Sequence, residues 1–211
     1  MKVVALNGSP RANGNGARAL KVMETIFREN NIHFEITHIG NKVIQGCMDC
    51  GQCAEKCNEQ CVISKDMVNE VIQKLKEADG IVVASPVYYS GIAGTLKNLL
   101  DRVFFVGGVN DGMFKHKIGA ALVTVRRSGG SSTLDGLNHY FSISQIPIAS
   151  ADYWNIIHGR KEGELYEDKE GIQIIKTLAH NMIWLLKMRE ATANTIPKPE
   201  TVAKIWTNFV R

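Results

Sequence analysis

Short apolar runs alternate with amphipathic stretches along most of this chain. Val3-Val4-Ala5-Leu6, Ile81-Val82-Val83-Ala84 and Ile118 to Val125 are continuous apolar runs, the pattern of strands buried on both faces. Residues 33–39 alternate as a further strand, and a fifth is expected near 146–151. Between the strands, apolar side chains recur at helical spacing. Leu20, Met23 and Phe27, with Val22 and Ile26 beside them, mark a helix over 15–30. Met67, Val71 and Leu75 mark another, from Asp66 as its N-cap to about Ala78. Leu96, Leu99, Leu100 and Val103 follow Gly91, a helix is expected near 131–144, and a long one from about Lys169 to Met188.

Strands that alternate with helices and are themselves apolar throughout predict an α/β fold, a doubly wound parallel sheet of five strands with helices on both faces. A length of 211 residues suits one such domain. It is expected to span residues 1–190, with a proline-bearing tail over 191–211 that packs on a partner subunit. Residues 40–65 break the pattern as an irregular loop holding every cysteine of the chain.

Charge adds little to this picture but excludes some roles. The 25 basic residues exceed the 21 acidic ones, a net charge of +4, with no dense basic run. Nucleic-acid binding is therefore not expected, whereas an anionic cofactor or pyridine nucleotide suits the balance. The short N-terminal apolar run does not read as a signal peptide, and no stretch approaches a membrane span; the expected location is the cytoplasm.

Ligands of open parallel sheets bind beyond the carboxyl ends of the strands, so the loops there are where chemistry is expected. The first, Asn7 to Gly16, combines glycines with Ser9, Arg11, Asn13 and Asn15 and leads straight into a helix, the arrangement that binds phosphate. It is neither a dinucleotide fingerprint nor a P-loop. The second, Ser85-Pro86-Val87-Tyr88-Tyr89-Ser90-Gly91, offers two tyrosines as a wall for an aromatic ring. The third, Arg126-Arg127-Ser128-Gly129-Gly130, brings positive charge and pliable backbone to the same edge.

GSPR followed by a GN pair and a helix, SPVYYSG with LKNLLDR downstream, SGGSSTLDGLNHYF and Tyr153-Trp154-Asn155 together resemble the NADPH-dependent FMN reductase family over most of residues 1–190. The resemblance implies a flavodoxin-like sheet of order 2-1-3-4-5 and FMN as cofactor. Ser9, Arg11, Asn15 and Gly16 would hold the phosphate, Pro86, Val87, Tyr88 and Tyr89 the isoalloxazine, and Arg127, Ser128, Gly129 and Gly130 its far side. Asn13, Gly91 and Arg126 complete the expected cofactor-binding set. The family usually has Ser or Thr where this chain has Gly16, so one hydroxyl contact to phosphate is missing. The resemblance further implies NAD(P)H as donor, a small-molecule or protein acceptor such as a quinone, metal ion or nitro compound, and a homodimer or homotetramer. A non-catalytic electron carrier or redox sensor is the competing reading. None of the six histidines falls in a recognisable nucleophile–base arrangement.

The cysteines are spaced Cys47-x2-Cys50-x2-Cys53-x3-Cys57-x3-Cys61. Three thiolates at successive x2 intervals can wrap one corner of a 4Fe-4S cluster, with a fourth arriving from further along. By analogy with bacterial ferredoxins Cys57 points away and Cys61 is the fourth ligand, giving Cys47, Cys50, Cys53 and Cys61. Cys61, separated from Cys53 by seven residues, falls within the spacing of the iron–sulfur flavoprotein branch of the family. Structural zinc, a thiol–disulfide pair and a metal-free loop are the alternatives.

Overall fold

A computed structural model describes residues 1–209. The elements are β1 (Lys2–Asn7), α1 (Asn15–Glu29), β2 (His33–His38), α2 (Gln52–Lys56), α3 (Val68–Glu77), β3 (Gly80–Tyr88), β4 (Gly91–Ile92), α4 (Gly94–Val109), β5 (Ile118–Val125), α5 (Gly130–Ile143), β6 (Ile156–His158) and α6 (Lys169–Thr192). The sheet runs β2-β1-β3-β5-β6, all parallel, and β4 folds back antiparallel on β3. With that two-residue hairpin strand set aside, the order is the expected 2-1-3-4-5, the flavodoxin-like winding.

Alternation of side chains sends successive strand residues to opposite faces, and both faces are buried. Val4, Leu6, Ile81, Val83, Ala121 and Val123 pack under α3, α4 and α5. Val3, Ala5, Val82, Ala84, Ala120 and Leu122 pack under α1 and α6, against Leu20, Met23, Phe27, Leu178 and Met182. Among the described residues no helix is long and apolar enough to cross a membrane.

Three expectations need correction. The fifth sheet strand is Ile156–His158, not 146–151, where a single bridge joins Ile148 to Gly119. Ile146 and Ala149 are buried and mimic a strand, but Pro147 between them has no N–H for a ladder. The third strand continues past Ser85-Pro86 to Tyr88. β1 stops pairing at Ala84, so Pro86 lies where its missing donor faces no neighbour on that side, while β5 and β4 pair the extension. Asp66 is not the N-cap of α3; Met67 holds that position. Asp66 accepts the Val68 N–H at 3.2 Å through Oδ1 and turns its other oxygen to Arg102.

Beyond Thr192 the described chain forms no helix or strand, and the last two residues of the expected tail, 210 and 211, lie outside the described residues.

Candidate functional site

The loops after β1, β3 and β5 meet at the carboxyl edge of the sheet. Gly8 donates to the Ala84 carbonyl at 2.8 Å, which seats the first loop against the end of β3. Ser132, in the first turn of α5, donates through Oγ to the Ser90 carbonyl at 2.9 Å, which ties the β3–β4 hairpin to the third loop. Gly129 lies at φ +84, and an added Cβ would stand 2.9 Å from Ser90 Cα. A side chain here would push the second and third loops apart as well as strain the backbone.

The first loop has the features of an anion cradle. No side chain caps α1, and its first turn carries no acidic residue. The N-terminal amides and the helix dipole therefore favour negative charge in front of Gly14 and Asn15. Ser9 is buried; its N–H is held by Asn7 Oδ1 at 3.1 Å, and its Oγ accepts from the Arg11 N–H at 3.2 Å. His38 Nε2 lies 2.7 Å from the Ser9 carbonyl, so β2 also braces the loop.

Asn15 is engaged differently from the expectation of a phosphate ligand. Its Nδ2 donates to the Lys161 carbonyl at 3.0 Å and its Oδ1 accepts the Gly163 N–H at 3.0 Å. Arg11 Nη1 reaches the Arg160 carbonyl at 3.1 Å. Asn13 contributes its carbonyl to Arg18 Nε at 2.9 Å. The loop after β6 thus folds over the first loop and forms its outer wall. Gly16, in the first turn of α1, leaves room: an added Cβ would meet nothing closer than Asn7 Oδ1 at 3.6 Å.

On the second loop Pro86 and Val87 are half-buried, while Tyr88 and Tyr89 are exposed and Gly91 opens β4. Tyr89 and Ser90 sit at φ +48 and +58, left-handed turn positions for two residues that ordinarily avoid them. Arg126, Arg127 and Ser128 on the third loop are exposed. A flat ring and a phosphate fit this edge, with aromatic side chains on one wall, arginines on another and the α1 terminus at the end.

The cysteine loop runs beneath α4. Cys47, Cys50, Cys53 and Cys61 line one pocket, with Met48, Val62, Arg102, Phe105 and Val106 around them. Cys57 is not among the lining residues; its thiol donates to the Ala54 carbonyl at 2.9 Å. Burial pushes the Cys53 thiol up, and the neighbouring Cys61 and Cys50 add to that. Asp49, Gly51, Cys57 and Glu59 all take left-handed backbone, and the resulting tight turns gather successive thiols on one side.

Among the described residues no three His, Cys, Asp or Glu side chains converge as a site for a single metal ion. A cubane cluster spreads its thiolates wider than one ion does. Four thiols line one pocket and a fifth is turned out of it, a donor set whose chemistry suits a thiolate-bound centre.

The profile of the family described as NADPH-dependent FMN reductase matches residues 1–161. The chain belongs to this family. An iron–sulfur flavoprotein of Methanocaldococcus jannaschii is 29% identical over 197 residues, covering 89% of this chain and 98% of that one. One from Archaeoglobus fulgidus is 31% identical over 207 residues, covering 92% and 98%. Among solved structures, RosB with a bound flavin-phosphate intermediate superposes with a TM-score of 0.69 at 14% identity, over all of this chain and 92% of that one. That likeness is one of fold.

Membership makes the chain an FMN-dependent flavoprotein oxidoreductase by family. Two features of this FMN reductase fold escaped the motif reading. A cleft of about 410 Å3 opens on the outer side of the third loop, lined by Arg127 to Ser131, Tyr153, Trp154, His158, Asp168 and Glu170. Asp168 caps α6 and also accepts the His158 N–H at 2.7 Å, with the imidazole Nδ1 3.4 Å from the same oxygen. The hint was available, since His158-Gly159 ends a strand at the same edge. The second feature is a ladder on α4: Asn98, Arg102, Val106 and Asn110, spaced by four, all face the cysteine loop.

Proposed function

We propose that this protein binds FMN at the three-loop edge and takes electrons from NAD(P)H or another reductant. It passes them to a quinone, metal ion, nitro compound or protein, by way of a 4Fe-4S cluster on Cys47, Cys50, Cys53 and Cys61. The observation that carries the reading is the arrangement of those four thiols around one pocket with Cys57 turned out of it. The iron–sulfur flavoprotein names of the relatives support it. When bound, a flavin exchanges one or two electrons and a cluster one at a time.

The chain's own residues bind and orient. Ser9, Arg11 and the α1 amides hold the phosphate; Asn15 acts through the 159–163 loop that walls it. Pro86 to Tyr89 and Arg127 to Gly130 flank the ring, and the arginines attract anionic donors. The exposed apolar side chains of the tail, Ile196, Val202, Ile205, Trp206 and Phe209, suit packing on a second subunit in a homodimer or homotetramer.

The test is a visible spectrum with iron and acid-labile sulfide analysis on protein purified without oxygen. A flavin spectrum with broad brown absorbance and about four irons per chain is expected. Flavin without iron removes the cluster from the reading, and absence of FMN binding overturns it. A second reading, an electron carrier between proteins, draws on the exposed Met48, Val62 and Phe105 that rim the cysteine pocket. Steady-state NAD(P)H oxidation by the pure protein separates the two, since a carrier turns over only when its partner is added.

A further inference from the structure

Arg102 is the largest side chain wholly shut off from solvent. A guanidinium cannot shed its charge, so each of its donors needs a partner where it is buried. Nη1 donates to the Gln45 carbonyl at 3.1 Å and pairs with Asp66; Nη2 donates to the Ile63 carbonyl at 2.7 Å. The inner donor, Nε–H, points at Cys61 Sγ from 3.3 Å. Three of the four partners are oxygens that accept strongly. The fourth is a sulfur, which accepts well only as a thiolate.

Anchoring the cysteine loop does not by itself call for an arginine. Asn98 Nδ2 already holds the Ile44 carbonyl at 3.0 Å, and Asn110 Oδ1 holds the Glu59 N–H at 2.9 Å. Both are neutral, Asn98 in the first turns of α4 and Asn110 as its C-cap. A permanent cation costs more to bury than another carboxamide; the Asp66 carboxylate offsets that cost, and the contact the cation makes to a cysteine is the one to Cys61.

We infer that Arg102 is a positioning residue that sets the electron affinity of the cluster through a charge-assisted Nε–H···S hydrogen bond to Cys61. The inference rests on the cluster reading above. An electron arriving on the cluster adds negative charge shared by its sulfur ligands, and no bond forms or breaks. A fixed cation and an N–H aimed at one of those sulfurs stabilise the reduced form and raise the reduction potential. The guanidinium stays protonated in both states, so this contribution is the same at every working pH.

The experiment is a redox titration with dithionite on anaerobically purified protein, with iron counted in every sample. Wild type is compared with Arg102→Lys, Asp66→Asn, and Arg102→Gln combined with Asp66→Asn, which leaves no unpaired buried carboxylate. At wild-type iron content, the equilibrium constant for one-electron reduction is expected to fall about tenfold in the double variant, ~59 mV. Arg102→Lys is expected to fall by less, because it keeps the charge and loses the directed N–H. Asp66→Asn, which keeps the guanidinium, is expected not to fall.

Should the double variant lose iron, Arg102→Lys decides. Unchanged potentials at full iron content overturn the inference, as does loss of iron in both Arg102 variants, which makes the residue an anchor only. Wild-type protein that binds FMN but no iron overturns the cluster reading itself, and this inference with it.

Discussion

Asn15 and Gly163 are 148 residues apart in sequence and joined at 3.0 Å, carboxamide oxygen to backbone N–H. With the second bond, from Nδ2 to the Lys161 carbonyl, the side chain clasps the loop after β6 over the first loop. A residue that reads as a cofactor ligand also braces the outer wall of the first loop. Asn15→Ala is expected to cost ~1–3 kcal/mol of stability. Urea unfolding of the FMN-free protein measures it. FMN affinity is expected to fall several-fold, because the loop that walls the phosphate is released; unchanged affinity would detach that loop from cofactor binding.

Gly16 and Gly40 make an opposed pair. A Cβ at Gly16 meets only ordinary contacts, and the family's usual hydroxyl residue fits there. Gly16→Ser is expected to tighten FMN several-fold in a fluorescence titration, with a gain of a few tenths of a kcal/mol in helix propensity. At Gly40 an added Cβ would lie 2.2 Å from the Ser9 carbonyl carbon and oxygen. Gly40→Ala is expected to displace the first loop, cost ~2 kcal/mol or more, and abolish tight FMN binding.

The thiols separate in the same way. Cys61→Ser is expected to remove the broad visible absorbance and the iron of the purified protein. Cys57→Ser is expected to keep most of both, since its thiol donates to Ala54 and does not line the pocket. Equal loss in the two variants would sink the ligand assignment.

Lys117 is buried at the opposite edge of the sheet, where its ammonium donates to the Lys76 carbonyl at 2.8 Å and to the Ala78 carbonyl. Burial, with nearby Arg189, lowers its pKa from 10.5 to about 8. Between these two values the unfolded chain binds more protons than the folded one at this site, so stability rises with pH across that window. The contribution is ~3 kcal/mol at most. Urea unfolding at pH 7.5 and 10 is expected to show this rise in wild type relative to Lys117→Met; identical pH profiles would refute it.

Much of this was legible in the chain. Continuous apolar runs marked strands buried on both faces, and β5 came out at the residues expected. What misled was local resemblance between unlike environments. Ile146 and Ala149 carry the apolarity of a strand, yet Pro147 and the register of β5 leave the pairing to Ile156–His158. Asp66 has the chemistry of a cap and was drawn instead into a buried ion pair, because its partner Arg102 lies 36 residues on. Arg102 closes the LKNLLDR motif, but nothing in that motif points to Asp66 or Cys61 as its partners. The partners of Arg102 lie 36 to 57 residues before it and meet it only when α4 docks on the cysteine loop.

The ladder on α4 has a consequence for the order in which the molecule is made. The cysteines lie between residues 47 and 61, and the side chains that hold their loop lie at 98, 102 and 110. During synthesis every thiol leaves the ribosome well before the last of these supports exists. The loop therefore emerges without the side chains that hold it and gains them only when α4 docks. A cluster of the kind proposed above would meet the thiols either before that docking, unframed, or after it, already gathered around one pocket.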